Sequence, residues 1–311
     1  MFLICVGSNC EKDYQCKYLL QNVHVNNYAF LPPSQFTNQF MDDWLKGSNK
    51  EEYILIVGAG TMPFQRISEA VEKFKPKILI INGDEHKQQG QLLTLADKVD
   101  LMLYQYIGHY RTDDRYTQHQ HKIVHVPQGW YPGIFKYGVP LPKNDLLPNN
   151  RESRKYVWSF MGNVHHKRTE GLRKFTNAFE KDEYFVSESG HNRKDLIDVC
   201  KQSQFVLNLH AFGTLESPRL CYTIRCGAVP VVVGSSMDVI KNTFTFNAER
   251  TIPFVCATSW DEAIRECKRL LKTGETQVVF DKCWEWMNDI EEDIMIKIED
   301  VCGSDVHFRN G

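Results

Sequence analysis

Short apolar runs alternate along the first half of the chain with stretches of helical periodicity. The runs Phe2–Val6, Tyr53–Val57, Lys77–Ile81, Leu101–Tyr106 and Lys122–Val126 are each of strand length. Between the second and third, Ile67, Ala70, Val71 and Phe74 recur at i, i+3, i+4 and i+7, the apolar stripe of an amphipathic helix. Strand, helix, strand in that order predicts a parallel sheet with right-handed crossovers. The opening Met-Phe-Leu-Ile-Cys-Val-Gly has no basic region and is too short for a signal peptide, so it reads as a first buried strand.

Near Val126 the pattern breaks. Pro127-Gln-Gly-Trp-Tyr-Pro-Gly and Gly138-Val-Pro-Leu-Pro-Lys-Asn-Asp-Leu-Leu-Pro-Asn-Asn make a Pro/Gly/Asn-rich stretch, the best candidate linker. A second α/β unit opens on Tyr156-Val-Trp-Ser-Phe-Met-Gly and continues through Phe205-Val-Leu-Asn-Leu and Val229–Val233. Ser217-Pro218 supplies an N-cap and an N1 proline before a helix over Arg219–Cys226, with Gly227 as its stop. Ser259-Trp-Asp-Glu262 has capping-box spacing, and Gly274 follows the last turn of that helix. From Gln277 to Val301 the chain reads as one long helix carrying Trp284 and Trp286.

Composition narrows the function. The 37 basic and 39 acidic residues nearly cancel, which argues against a general nucleic-acid binder. Hydrophobic residues at 42% and charged residues at 24% are those of a globular chain, not a disordered one. Ten cysteines in 311 residues, with no CxxC pair, are too few for a disulfide framework. Cys5, Cys200, Cys221 and Cys226 lie in apolar or helical runs and read as reduced, buried, small hydrophobes. No run reaches the roughly 18 apolar residues of a membrane span. The expectation is a protein without membrane insertion, working in a reducing cytoplasm.

Two α/β domains joined by a linker imply a cleft at the C-terminal edges of their sheets, where loops and helix starts converge. Three segments of the second domain fall at such positions. In Phe160-Met-Gly-Asn-Val-His-His-Lys-Arg-Thr-Glu-Gly-Leu-Arg-Lys-Phe a strand ends at Gly162 and a helix begins near Thr169. A glycine turn feeding a helix start offers N–H groups and partial positive charge to an anion. Gly162 and Asn163 form that turn, His165 or His166 could donate to a phosphate, and Lys167, Arg168 and Arg173 add full charges. The plain alternative is a solvated basic helix start. In Gly213-Thr-Leu-Glu-Ser-Pro-Arg-Leu, Glu216 could accept two hydrogen bonds from a ribose diol, while Ser217 and the helix start meet a phosphate. Arg219 in the first turn opposes the helix macrodipole, a local conflict expected where an anion offsets it. The alternative is a solvent-facing arginine behind an ordinary cap. Arg225-Cys-Gly-Ala-Val-Pro-Val-Val-Val-Gly mostly sets geometry.

Glu216-Ser-Pro-Arg-Leu-Cys-Tyr-Thr-Ile-Arg-Cys-Gly-Ala-Val-Pro-Val-Val-Val resembles the donor-site signature of exostosin-like glycosyltransferases, and Trp158-Ser-Phe-Met-Gly-Asn is similar to that family's earlier Phe-x-Gly element. The resemblance covers roughly residues 156 to 270. It implies the GT-B fold class, α/β with two Rossmann-like domains facing across a cleft. The boundaries would be an acceptor-binding domain over 1–145, a nucleotide-sugar-binding domain over 146–275, and a C-terminal helix over 276–311 packing back on the first. It also implies an inverting enzyme that needs no metal or other cofactor, taking a UDP-sugar as donor and an oligosaccharide or glycoprotein as acceptor. The sequence departs from the family in two ways. Tyr222, Thr223 and Ile224 replace the acidic residue often found inside the donor helix, which throws the ribose contact onto Glu216, and the Golgi anchor is absent. Soluble relatives occur in bacteria and in large algal viruses, including the chlorovirus enzymes that glycosylate the capsid protein, so the expected place is the cytoplasm, the host's if the chain is viral.

An inverting transfer needs a base for the acceptor hydroxyl and charge stabilisation for the departing diphosphate. Asp84, in Ile78-Leu-Ile-Ile-Asn-Gly-Asp-Glu-His beyond the end of a strand, is the best candidate base; Glu85 and His86 are near alternatives, and a turn or N-cap role is the plain one. Asp113 or Asp114 is a further possibility, in the loop Gly108-His-Tyr-Arg-Thr-Asp-Asp-Arg-Tyr, where Tyr110 suits stacking on a sugar ring. Trp130 is a second aromatic candidate for the acceptor side, or packs in the hinge. Val57-Gly-Ala-Gly-Thr-Met-Pro has part of a dinucleotide fingerprint, but Pro63 stands where the third glycine belongs, which weighs against an NAD or S-adenosylmethionine enzyme. His119, His121 and His125, or His165 and His166, lack the companion ligands of a closed zinc set. A non-catalytic nucleotide- or carbohydrate-binding module remains the competing class. The donor sugar, xylose or a hexose, turns on one hydroxymethyl group.

Overall fold

The computed structural model describes residues 2–6, 27–47, 52–58, 62–82, 90–105, 110–111, 113–127, 154–164, 166–188, 193–209, 215–246 and 250–303. Of these, the residues up to Val126 and those from Glu292 onward form one compact unit, and Pro127 with those from Arg154 to Glu291 form another.

The first unit is built on a parallel sheet of β1 (Phe2–Val6), β2 (Asn27–Leu31), β3 (Tyr53–Gly58), β4 (Ile78–Asn82), β5 (Leu101–Tyr104) and β6 (Ile123–His125), in the order β2-β1-β3-β4-β5-β6. Successive residues Ile54, Leu55, Ile56 and Val57 are all buried, so both faces of the sheet are covered, as an unbroken apolar run requires. One face packs on α1 (Asn38–Gly47), α2 (Phe64–Phe74) and a 3-10 helix (Gln91–Lys98). The stripe read from the sequence, Ile67, Ala70, Val71 and Phe74, is the buried face of α2. A short helix, α3 (Asp114–Thr117), precedes β6.

The second unit carries β7 (Tyr156–Met161), β8 (Tyr184–Ser187), β9 (Ser203–Leu207), β10 (Val229–Val233) and β11 (Val255–Ala257), again all parallel, in the order β11-β10-β9-β7-β8. Around it lie α4 (His166–Ala178), α5 (Arg193–Lys201), α6 (Pro218–Arg225), α7 (Met237–Phe244) and α8 (Trp260–Thr273). The long helix α9 (Thr276–Cys302) begins in this unit and ends in the first, where Lys77 Nζ donates to the Val301 carbonyl at 3.5 Å.

Mixed α/β with parallel sheets is what the apolar runs predict, and both units show it. The differences are local. α4 starts at His166 rather than near Thr169. β9 starts at Ser203, whose buried hydroxyl donates to the Val199 carbonyl and pairs with Ser159. The cap of α8 forms as read, Ser259 Oγ accepting from the Glu262 amide and Gly274 closing the helix at φ 71. The reciprocal bond, however, comes from Thr258 N–H to Glu262 at 2.9 Å, one residue ahead of the cap. Cys5, Cys200, Cys221 and Cys226 are buried thiols outside any disulfide, and burial pushes the Cys221 thiol up.

Candidate functional site

In the second sheet the chain moves outward from β7 to β8, then crosses back to β9 and continues to β10 and β11. The order therefore reverses between β7 and β9, and in open parallel sheets a crevice opens at the C-terminal edge of such a reversal. Three groups from the sequence meet there. β7 ends at Met161 and turns at Gly162; β9 ends at Leu207 and runs on through Asn208 and Leu209; α6 starts behind Glu216 and Ser217.

Arg219 ties these strand ends together. Its Nη2 donates to the Met161 carbonyl at 3.0 Å, its Nη1 reaches the Leu209 carbonyl at 3.5 Å, and its guanidinium lies over the Phe160 ring, 4.8 Å from the centroid. The residue keeps some solvent exposure, but its Nε is enclosed and has no hydrogen-bond partner among the described residues. Burial, then the nearby charge of Arg168, lowers its pKa to about 10, so it remains a cation at neutral pH. Among the described residues no carboxylate lies within ion-pair distance of it. A largely enclosed cation held by carbonyl dipoles and an aromatic face, with no carboxylate beside it among the described residues, is suited to receiving an anion.

Arg168, in the first turn of α4, joins it. Its Nη1 donates to the Asn163 carbonyl at 2.7 Å, its guanidinium stands 5.8 Å from the same Phe160 ring, and burial lowers its pKa. Gly162 makes room for Arg219. At φ 149 it holds a backbone shape that side chains rarely adopt, and a Cβ there would stand 2.7 Å from Arg219 Nη2. Gly162→Ala is accordingly expected to displace the guanidinium, costing about 1–3 kcal/mol of stability. Thermal melts on the variant check this.

The start of α6 is built as the sequence predicts, with Ser217 Oγ accepting from the Arg219 amide at 3.2 Å. Pro218 has no N–H, and the Arg219 N–H is taken by the cap, so of this first turn it is the dipole, not these two amides, that could act on an anion. Glu216 is buried immediately ahead of the cap. Asn208, which the sequence showed only as a lone amide in an apolar run, fixes this approach: its Nδ2 donates to the Leu215 carbonyl at 3.1 Å. Arg173 is not brought to the cluster. It lies five residues beyond Arg168 on α4, about 140° round the helix, and is exposed.

In the first unit Asp113 caps α3 and pairs with Arg115, Nη2 to Oδ2 at 2.5 Å and Nε to Oδ1 at 2.8 Å. The guanidinium holds this carboxyl down at about 2. Because the folded value lies below the ordinary 3.8, the pair stabilises fully above about pH 4 and loses that contribution as pH falls toward 2. Asp113→Asn should therefore melt earlier than the parent at pH 7, with the gap closing by pH 2; a gap independent of pH would contradict the pair. Tyr110 stacks edge-on against Tyr104, ring centroids 6.4 Å apart, and abuts Gly90. His125 is buried at the end of β6, and among the described residues no three His, Cys, Asp or Glu side chains gather as a metal site. Asp84, Glu85, His86, Trp130 and His165 lie outside the described residues, as do the side chains of His166 and Lys167.

Fold and site together define a class: a two-unit parallel α/β protein with a fixed cationic pair at the switch point of its second sheet. No family model matches the chain, and no curated protein matches its sequence. Among solved structures it is similar to an α1,3-fucosyltransferase with GDP-fucose, at 12% identity over 99% of this chain and 92% of that one, TM-score 0.49. It is also similar to the Anabaena protein HepE in complex with UDP and glucose, at 9% identity over 96% and 100%, TM-score 0.49. No helix among the described residues is long and apolar enough to cross a membrane.

Proposed function

We propose that the protein is a cytoplasmic, inverting glycosyltransferase that moves xylose or a hexose from a UDP-sugar to a glycan hydroxyl without a metal ion. The observation that supports this most is Arg219, a buried guanidinium at the sheet switch point with no carboxylate beside it among the described residues. In the transfer the acceptor hydroxyl gives its proton to Asp84, its oxygen bonds to the anomeric carbon, and the bond from that carbon to the diphosphate oxygen breaks with its electron pair. The diphosphate gains charge as it leaves, and Arg219 and Arg168 stand fixed in low dielectric to receive it. Glu216 takes the ribose hydroxyls. The acceptor is positioned by Glu85, His86, Tyr110, Asp113 and Trp130.

A thermal-shift screen tests this reading. UDP and UDP-sugars should raise the melting temperature equally with and without EDTA, and turnover of one UDP-sugar should release UDP. Stabilisation by NAD or S-adenosylmethionine instead would overturn it, and donor binding without turnover would leave the binding module as the answer.

A further inference from the structure

We propose that Phe160 is a positioning residue that keeps Arg219 extended and fully charged by presenting a ring face where a carboxylate would neutralise it, an inference resting on the diphosphate reading above. Phe160 is the penultimate residue of β7 and is completely buried. Two guanidiniums use its ring, Arg219 at 4.8 Å and Arg168 at 5.8 Å from the centroid. Their mutual repulsion opposes that arrangement and, after burial, adds to the lowering of the Arg219 pKa. The negative face of the ring offsets it, because an aromatic quadrupole attracts a cation without cancelling its charge. The next two residues complete the fit: the Met161 carbonyl takes Nη2, and Gly162 leaves the space that Nη2 occupies. A carboxylate in that place would satisfy Arg219 and remove its attraction for phosphate oxygens; an aliphatic side chain would fill the volume and leave the two cations unsupported.

The test has two readouts, applied to the full chain with labelled arginine. In the wild type, the Arg219 Nε–H resonance, assigned by its loss in Arg219→Met, should be displaced upfield by the ring current of Phe160. In Phe160→Leu, and in Phe160→Met as a second filler of similar volume, it should return to the ordinary arginine position. UDP affinity should fall about ten-fold in the same variants. An unshifted wild-type resonance overturns the proposal, as does UDP affinity unchanged in folded Phe160→Leu or Phe160→Met. Failure of the wild type to bind UDP or GDP would instead overturn the glycosyltransferase reading, while the resonance still reports whether the ring holds Arg219.

Discussion

Arg219→Met is expected to lose roughly 100-fold or more in affinity for UDP while the ligand-free protein melts within about 3 °C of the wild type. On the proposed function the two effects separate, because there the guanidinium serves the ligand more than the fold. Its burial is costly, as the pKa lowered to about 10 shows, and a methionine of similar length removes that cost. Against this, the Met161 and Leu209 carbonyls lose a donor. These contributions oppose one another and leave stability nearly level. A structural clasp would behave differently: stability and affinity would fall together.

Asp84→Asn is expected to lower turnover by about 10²- to 10⁴-fold with UDP affinity unchanged. Asn keeps the size and hydrogen-bonding reach of the side chain but cannot take the acceptor proton. Were Asp84 a turn residue, the variant would melt earlier and turn over normally. Asp113, committed to Arg115 and held at about 2, is poorly suited to the same task.

The long apolar runs and the stripe of α2 were legible because burial on both faces leaves a continuous apolar signature. β2 and β8, the outer strands beside β1 and β7, were not: partly exposed residues such as Tyr28 and Tyr184 interrupt the pattern that marks an inner strand. At the site, Arg219 could be picked out because a cation in the first turn of a helix breaks a local rule. Arg168 and Arg173 looked equivalent until α4 was found to start at His166, which turns one inward and the other to solvent. Phe160 was visible only as part of the Phe-x-Gly element; its use by two guanidiniums gave no sign, since a phenylalanine in a strand reads as core whether or not cations lie on its ring. Asn208 was visible as a polar residue in an apolar run, but its partner, the Leu215 carbonyl, is brought near only by the folded loop. Pairings that depend on loop closure carry no periodicity.

The most direct measurement is a crystal structure with UDP bound in the presence of EDTA. It should show phosphate oxygens within hydrogen-bond distance of Arg219 and Arg168, at the reversal between β7 and β9. Diphosphate density beside Gly58 in the first unit, rather than beside Ser217, would contradict the account.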